Sequence, residues 1–489
     1  MSKTWQEMFD YKQPWPVELV YGGPGNKANT PSQNALIFKA ARPMPLLYAA
    51  DDFYTANDSG YWDILKPDDL RAEIRKTDPG CQYLSTSAQI LAMLDELKIT
   101  GDVRSAAMPF EWINPPADAP SPNDLILASN GIYNVATGAL IELTTDYFAT
   151  GIPAWEFDAD AECPSWLSFL GEVLHESFHP TLQEWFGYTL TPDTSLEKMA
   201  FLVGASRGGK GTIKNVLEQL TGEAHRGSIT LNDLSGEFGL QSMIDKRLIV
   251  IPDASDTELS KRATAVERIK SITGNDALSV NRKNKPMLHN VRIPAKLTVL
   301  ANRHPKFIDD STALAIRELV FTFERSFAGK EDVTLRDRLT AELPGIANWS
   351  IEGLKRLRQQ RKFTVGEKGK AAQHQVKLSQ SPALRFATEC LVVTGKPEDV
   401  VPVPLAFDVY GEWALRESLS TRERRNKNDF KEDMIAALRA RGVRYAANQT
   451  RWHDPFKPSG GIGERIKGRF IGVKLKPGVH PDALSPLSP

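Results

Sequence analysis

The chain has 489 residues, enough for about three domains of ~150 residues each. Its 41% apolar and 25% charged residues are those of a globular protein with several cores, not of a disordered or fibrous one. Its net charge of -1 hides a skew, because residues 422–476 carry 15 Lys/Arg against 6 Asp/Glu, which suits a nucleic-acid surface or a solvated face.

The first residues lack the basic-then-apolar order of a signal peptide, and no apolar run approaches ~18 residues, so no membrane span is expected. Three distant cysteines, Cys81, Cys163 and Cys390, argue against a disulfide framework and a cysteine zinc knuckle. A cytoplasmic protein is expected.

In chain order, residues 1–115 give short apolar runs broken by turn residues, an α+β region of small strands. Within it, "STSAQILAMLDELKIT" predicts a helix over 85–100 with Ser85 or Ser87 as cap. "WINPPADAPSPND" reads as a connector. Residues 116–184 form a unit of helical period, opened by a hairpin turning near Thr137-Gly138. Residues 185–364 alternate strands and helices, the α/β pattern. The polar stretch 365–382 reads as a linker, and 383–489 as a further domain.

The central motif is "FLVGASRGGKGTIKNVLEQL", residues 201–220. An apolar strand precedes a glycine-rich loop, and a helix follows with Ile213, Val216, Leu217 and Leu220 at helical spacing. That context makes G-x-x-x-x-G-K credible as a phosphate-binding loop. Backbone N–H groups from Gly204 to Gly209 and the helix N-terminus would face phosphate oxygens, and Lys210 would reach the β and γ oxygens. Gly211 stands where the common pattern has the Ser or Thr that touches Mg²⁺. Thr212, one position later, is the candidate replacement. Nucleotide monophosphate kinases also use G-K-G-T, so the loop alone does not choose a kinase or a motor.

Downstream, "RLIVIPDASD" is a buried strand ending in acid. Asp253 is the better candidate for holding Mg²⁺ and positioning water, with Asp256 behind it. "KLTVLAN" ends in Asn302, placed to sense a γ-phosphate. Between them a charged turn carries Arg282, Lys283, Lys285 and His289, either an exposed hairpin or a loop reaching a phosphate backbone. Arg317 precedes the next apolar strand.

The ordered motifs "GASRGGKGT", "RLIVIPDASD", "IKSITGNDALSVNRKNK" and "KLTVLANRHPKFIDDSTALAIRELVFTF" together resemble the superfamily 3 helicases, in the branch of phage and plasmid primase-helicases and poxvirus-type NTPases. The resemblance covers residues 125–360. It implies an AAA+-like P-loop ATPase core using ATP and Mg²⁺, a helical domain before it, and a homo-hexameric ring translocating 3′→5′ on single-stranded DNA. Carried onto this chain, it makes Lys210 and Thr212 phosphate ligands and Asp253 the Walker B acid. Asn302 becomes sensor 1 and Arg317 an arginine finger acting in trans. Lys283, Lys285 and His289 become the strand-gripping hairpin. The family often has Glu at the acid position, and Asn where this chain has Arg207.

Asp51 and Asp52 are adjacent, so on a strand they face opposite ways and do not make the Asp-x-Asp pair of a primase. A separate primase is expected. In 383–489 two helical patterns precede "VRYAANQTRW" and "GRFIGVKL", a C-terminal winged helix. Arg439, Arg441, Lys467 and Arg469 are its candidates for duplex contact. A replicative DNA helicase of a mobile element is therefore the expectation. An initiator or packaging ATPase without processive unwinding, and a nucleotide kinase, are the alternatives.

Overall fold

A computed structural model describes residues 30–42, 44–49, 52–77, 86–100, 103–104, 109–254, 259–305, 307, 313–330, 332–419, 421, 424–439, 441–452, 464–477 and 479. The N-terminal region is a small α+β unit. It contains α1 (Pro31–Ala41), β1 (Leu46–Ala49), β2 (Asp52–Ala56), β3 (Trp62–Leu65), α2 (Pro67–Thr77), α3 (Ser87–Thr100) and β4 (Val103–Arg104). The sheet runs β3-β2-β1-β4, with β4 parallel to β1 and the other pairs antiparallel. The cap of α3 is Thr86, not Ser85 or Ser87. Its hydroxyl accepts from the Gln89 N–H at 3.3 Å, and Gln89 Oε1 accepts from the Thr86 N–H at 3.1 Å. That reciprocal pair needs Gln three residues on, which only Thr86 has.

Next come β5 (Leu125–Ala128), β6 (Gly131–Asn134) and β7 (Leu140–Ile141), an antiparallel meander with two turns where one was expected. Asn130 fixes the first turn by pairing its side chain with the backbone of Phe157, both bonds at 2.9 Å. Asn134 and Gly138, at φ +76°, make the second.

The centre of the chain runs α4 (Pro164–Val173), α5 (His179–Thr189), β8 (Met199–Gly204), α6 (Lys210–Thr221), β9 (Arg226–Ser228), α7 (Leu231–Leu234), β10 (Leu248–Ile251), α8 (Leu259–Thr273), β11 (Leu278–Arg282), β12 (Lys285–Val291), β13 (Lys296–Ala301), α9 (Ala313–Arg317), β14 (Glu318–Phe323), α10 (Leu335–Ala341) and α11 (Leu343–Gln360). Its main sheet has the order β14-β8-β13-β10-β9, with every neighbour parallel. Both faces are covered, so the strands read as apolar runs. Alternate residues feed two cores. Ala200, Leu202, Val250 and Phe321 face α4, α5, α6 and α11. Met199, Phe201, Ile249, Ile251 and Val299 face α7 and α8.

Two expected boundaries differ from the structure. The line at 184/185 falls inside α5, whose Glu184 is fully buried. Its carboxylate accepts from Arg356 Nε (2.7 Å), the Thr364 N–H (2.7 Å) and Gln360 Nε2 (2.9 Å). The helical segment and the helix that follows the sheet therefore share one core. The expected linker 365–382 contains α12 (Glu367–Gln380), which packs on β14, buries Val376 and donates from Gln373 to the Glu318 carbonyl at 2.7 Å. Its polar composition reflects one narrow buried stripe, not an absence of structure.

The C-terminal unit has its own core around Phe386, Tyr410, Trp413 and Phe430. It contains α13 (Pro382–Cys390), β15 (Leu391–Val393), β16 (Val400–Pro402), α14 (Val403–Arg416), α15 (Lys427–Arg439), β17 (Arg444–Trp452), β18 (Glu464–Ile471) and β19 (Val473–Leu475). Its antiparallel sheet has the order β16-β18-β17, and β15 pairs with β19. Among the described residues no helix is long and apolar enough to cross a membrane.

Candidate functional site

Parallel strands end together, so the loops at their carboxyl ends converge at one edge, with the widest crevice where consecutive strands diverge to opposite sides. β8 is that strand, with β14 on one side and β9 three strands away on the other. Its loop bends sharply. Gly204 has φ +148° and Gly209 φ +94°, and a Cβ on Gly204 would lie 2.1 Å from the Phe323 carbonyl oxygen. Only glycine meets both demands at Gly204.

A cavity of 620 Å³ opens over this edge, within the size of small-molecule sites. It brings together Gly209, Lys210, Gly211 and Thr212 of the loop, Asp253 after β10, and Asn302 after β13. Three segments spread over about a hundred residues thus meet at one edge. Gly204 lies just beneath. Asp256 lies outside the described residues. Lys210 is buried, and its Nζ donates to the Gly204 and Ala205 carbonyls, the latter at 2.7 Å. Burial lowers its pKa. These carbonyls can be exchanged for phosphate oxygens by rotation of one side chain. Asp253 adopts φ +47°, a left-handed backbone costly for a non-glycine residue, and is exposed to the cavity. The Ala254 N–H donates to the Leu300 carbonyl at 2.9 Å and ties this turn to β13.

Gly211 sits in the first turn of α6, and a Cβ there would meet nothing within 4 Å. The missing hydroxyl is therefore not excluded by space. Thr212 lines the same cavity as Asp253, so a hydroxyl and a carboxylate are available to a divalent cation that also takes phosphate oxygens, the usual way Mg²⁺ is held.

The cavity has walls that sequence motifs did not reveal. Phe169 and Val173 of α4, with Phe327 and Leu335 beyond β14, form an apolar side. The Phe327 N–H donates to the Arg207 carbonyl at 3.0 Å, and Ser326 Oγ donates to the Ser206 carbonyl at 2.9 Å, so this segment braces the loop. No spacing in the chain announces these contacts.

Arg317 is not in this cavity. It precedes β14 at the amino end of the sheet, where Glu318 is paired with Met199. Its Nη2 lies 2.6 Å from Glu197 Oε2. A second cavity there is lined by Lys198, Arg317, Arg361, Lys362 and Lys377.

The basic turn is the β11–β12 hairpin. Lys283, Lys285 and His289 are exposed on it. Arg282 is instead buried and donates to the Pro286 carbonyl at 3.0 and 2.8 Å, bracing the turn. Lys285 pairs with Asp52 of the N-terminal unit at 2.8 Å, and the Lys283 N–H donates to Gln241 Oε1 at 3.0 Å.

The C-terminal candidates divide. Arg439 and Lys467 are exposed. Arg441 donates to Thr388 Oγ1 at 2.9 Å and fastens α13. Arg469 donates to the Asn448 carbonyl at 3.0 Å and to its Oδ1 at 3.1 Å, across the β17–β18 hairpin.

Residues 52–175 match a family model described as D5 N terminal like. Residues 202–317 match one described as a family of unknown function, DUF5906. No curated protein matches the chain. Two apo structures of the NrS-1 C-terminal region share the fold, at TM-scores of 0.53 and 0.50 and identities of 12% and 13%. Each alignment covers 91% of this chain and all of the other.

Proposed function

We propose that the chain is a replication ATPase, an Mg²⁺-dependent ring motor that translocates on single-stranded DNA and unwinds duplex. The observation that carries the reading is the meeting of Lys210, Thr212, Asp253 and Asn302 in one cavity at the carboxyl edge of a parallel sheet. That set supplies a phosphate cradle, a cation, a metal-binding pair and a polar γ-phosphate sensor. Superfamily 3 membership, the AAA+-like core and the winged helix belong to the same reading. The strand order β14-β8-β13-β10-β9, with the loop strand inside the sheet, supports the core. The match to a D5 N terminal like model, and the fold shared with the NrS-1 C-terminal region, support a place among phage-type primase-helicases.

In this reading Lys210 leaves the loop carbonyls for the β and γ phosphates, and Asn302 orients the attacking water near Asp253. Arg317 lies at the other end of the sheet, about 20 Å away along β8 from Asn302 at ~3.3 Å per residue. That supports action on a neighbouring copy rather than on its own cavity. Homo-hexamers, a separate primase, single-stranded DNA at the hairpin and duplex at the C-terminal unit complete the proposal.

ATP hydrolysis measured with and without single-stranded DNA, beside unwinding of a forked duplex, tests it. DNA-stimulated hydrolysis with strand separation is expected. Hydrolysis with duplex binding but no separation would make the chain an initiator ATPase. Phosphate transfer to a nucleoside monophosphate would make it a kinase.

A further inference from the structure

Asn302 and Arg317 belong to opposite ends of the sheet, yet residues close to each in sequence are in direct contact. His304 follows Asn302 by two residues, and Glu318 directly follows Arg317. His304 Nε2 lies 2.8 Å from Glu318 Oε2, with side-chain exposures of 12% and 0%. His304 Nδ1 lies 2.9 Å from the Pro305 carbonyl oxygen. The imidazole lies against Phe201 of the loop strand, ring centres 4.7 Å apart and planes at 34°, and edge-on to Phe307 at 6.3 Å. The Glu318 carbonyl accepts from Gln373 of α12 at 2.7 Å.

We propose that the His304–Glu318 contact is a mechanical link by which nucleotide in a subunit's own cavity sets the position of Arg317. The inference rests on the cavity binding nucleotide as proposed above. A buried polar pair holds one geometry because water cannot replace the hydrogen bond lost when it separates. A shift of Asn302 toward a γ-phosphate displaces His304, two residues on. The contact passes that displacement to the first residue of β14, and so to the guanidinium beside it. The tilted ring contact with Phe201 holds the imidazole against β8, the strand that leads into the glycine-rich loop. His304 and Glu318 are positioning residues here and do not touch the nucleotide. Coupling between sites needs such a contiguous element, and its energy is measurable as a difference between liganded and free states.

The test is amide hydrogen exchange of residues 313–319 in the full chain, with and without a non-hydrolysable ATP analogue and Mg²⁺. In the native chain the analogue is expected to change exchange there about five- to tenfold, the range of ordinary coupling. Two variants break the link. His304→Phe retains the stack but leaves Glu318 without the imidazole. The double variant His304→Phe with Glu318→Leu replaces the polar pair with a packed apolar one, so it folds even if the single variant does not. In the double variant the exchange response at 313–319 is expected to vanish while analogue affinity stays within about twofold. The kcat for ATP hydrolysis is expected to fall about tenfold with KM unchanged. An exchange response that persists in the double variant overturns the link. So does an analogue that binds the native chain without changing exchange at 313–319. Failure of the analogue to bind the native chain overturns the nucleotide reading itself.

Discussion

The two ends of the five-stranded sheet use positive charge in opposite ways. At the carboxyl end, Lys210 rests on two loop carbonyls beside an open cavity, and among the described residues no carboxylate is paired with it. At the amino end, Arg247 immediately precedes β10, Lys296 opens β13, and both are buried. Arg247 donates to the Leu190 carbonyl at 2.7 Å and lies 3.8 Å over the Phe110 ring. Lys296 donates to the Thr191 carbonyl and lies 4.9 Å from the Tyr188 ring. Those carbonyls follow the C-terminus of α5, where the helix dipole is negative. Burial pulls the Arg247 guanidinium down to about 10 and the Lys296 amine well below its ordinary value. One end holds a cation at the open cavity, and the other uses two to fix where β10 and β13 begin.

The contrast is broken or sharpened by substitution. Lys210→Ala is expected to lower ATP hydrolysis by at least about 100-fold, as loss of a transition-state donor does, with an unchanged melting profile. Near-native turnover in the folded variant would place the nucleotide elsewhere. Arg247→Ala is expected to act through stability, costing about 3 kcal/mol because a hydrogen bond and a cation–π contact vanish from a sealed site. Denaturant unfolding measures it, and a loss under ~0.5 kcal/mol would mean the amino end is not held by this cation.

Replacing Lys283 and Lys285 with Ala addresses exposed charge. Forked-duplex unwinding is expected to fall about tenfold while duplex affinity, dominated by the C-terminal unit, changes by less than about threefold. Affinity from either region should fall with added salt through counterion release. Normal unwinding would remove the hairpin as the translocating element. The smallest effect is expected from Gly211→Ser. The site is open, and serine is a better helix former than glycine, by a few tenths of a kcal/mol. Folding and nucleotide affinity should be retained or slightly raised, and a collapse of both would mean that the loop needs glycine at this position.

Several features were legible in the chain because they depend on neighbours in sequence. The glycine-rich loop, the apolar strand before it and the helix after it follow from glycine, lysine and helical spacing within residues 199–221. Asp253 and Asn302 were legible because each ends an apolar run, and parallel strands deliver their ends to one edge. The cap of α3 falls on Thr86, one residue from either serine, because the Gln89 side chain selects it. The polar helix α12 was missed because one buried stripe gives little compositional signal.

By itself the sequence determined the local backbone at the cavity, a glycine-rich turn between an apolar strand and a helix. Only the tertiary structure decided which charges serve it. Arg282, Arg441 and Arg469 look like DNA ligands in a basic stretch, but each is engaged by carbonyls or side chains brought close by folding. Arg247, Lys296 and Glu184 give no local sign of being buried. The apolar wall of Phe169, Val173, Phe327 and Leu335 joins segments about 150 residues apart. Local pattern carries backbone preference, whereas desolvation and pairing depend on which distant groups arrive. That is set by packing of the whole sheet against its helices.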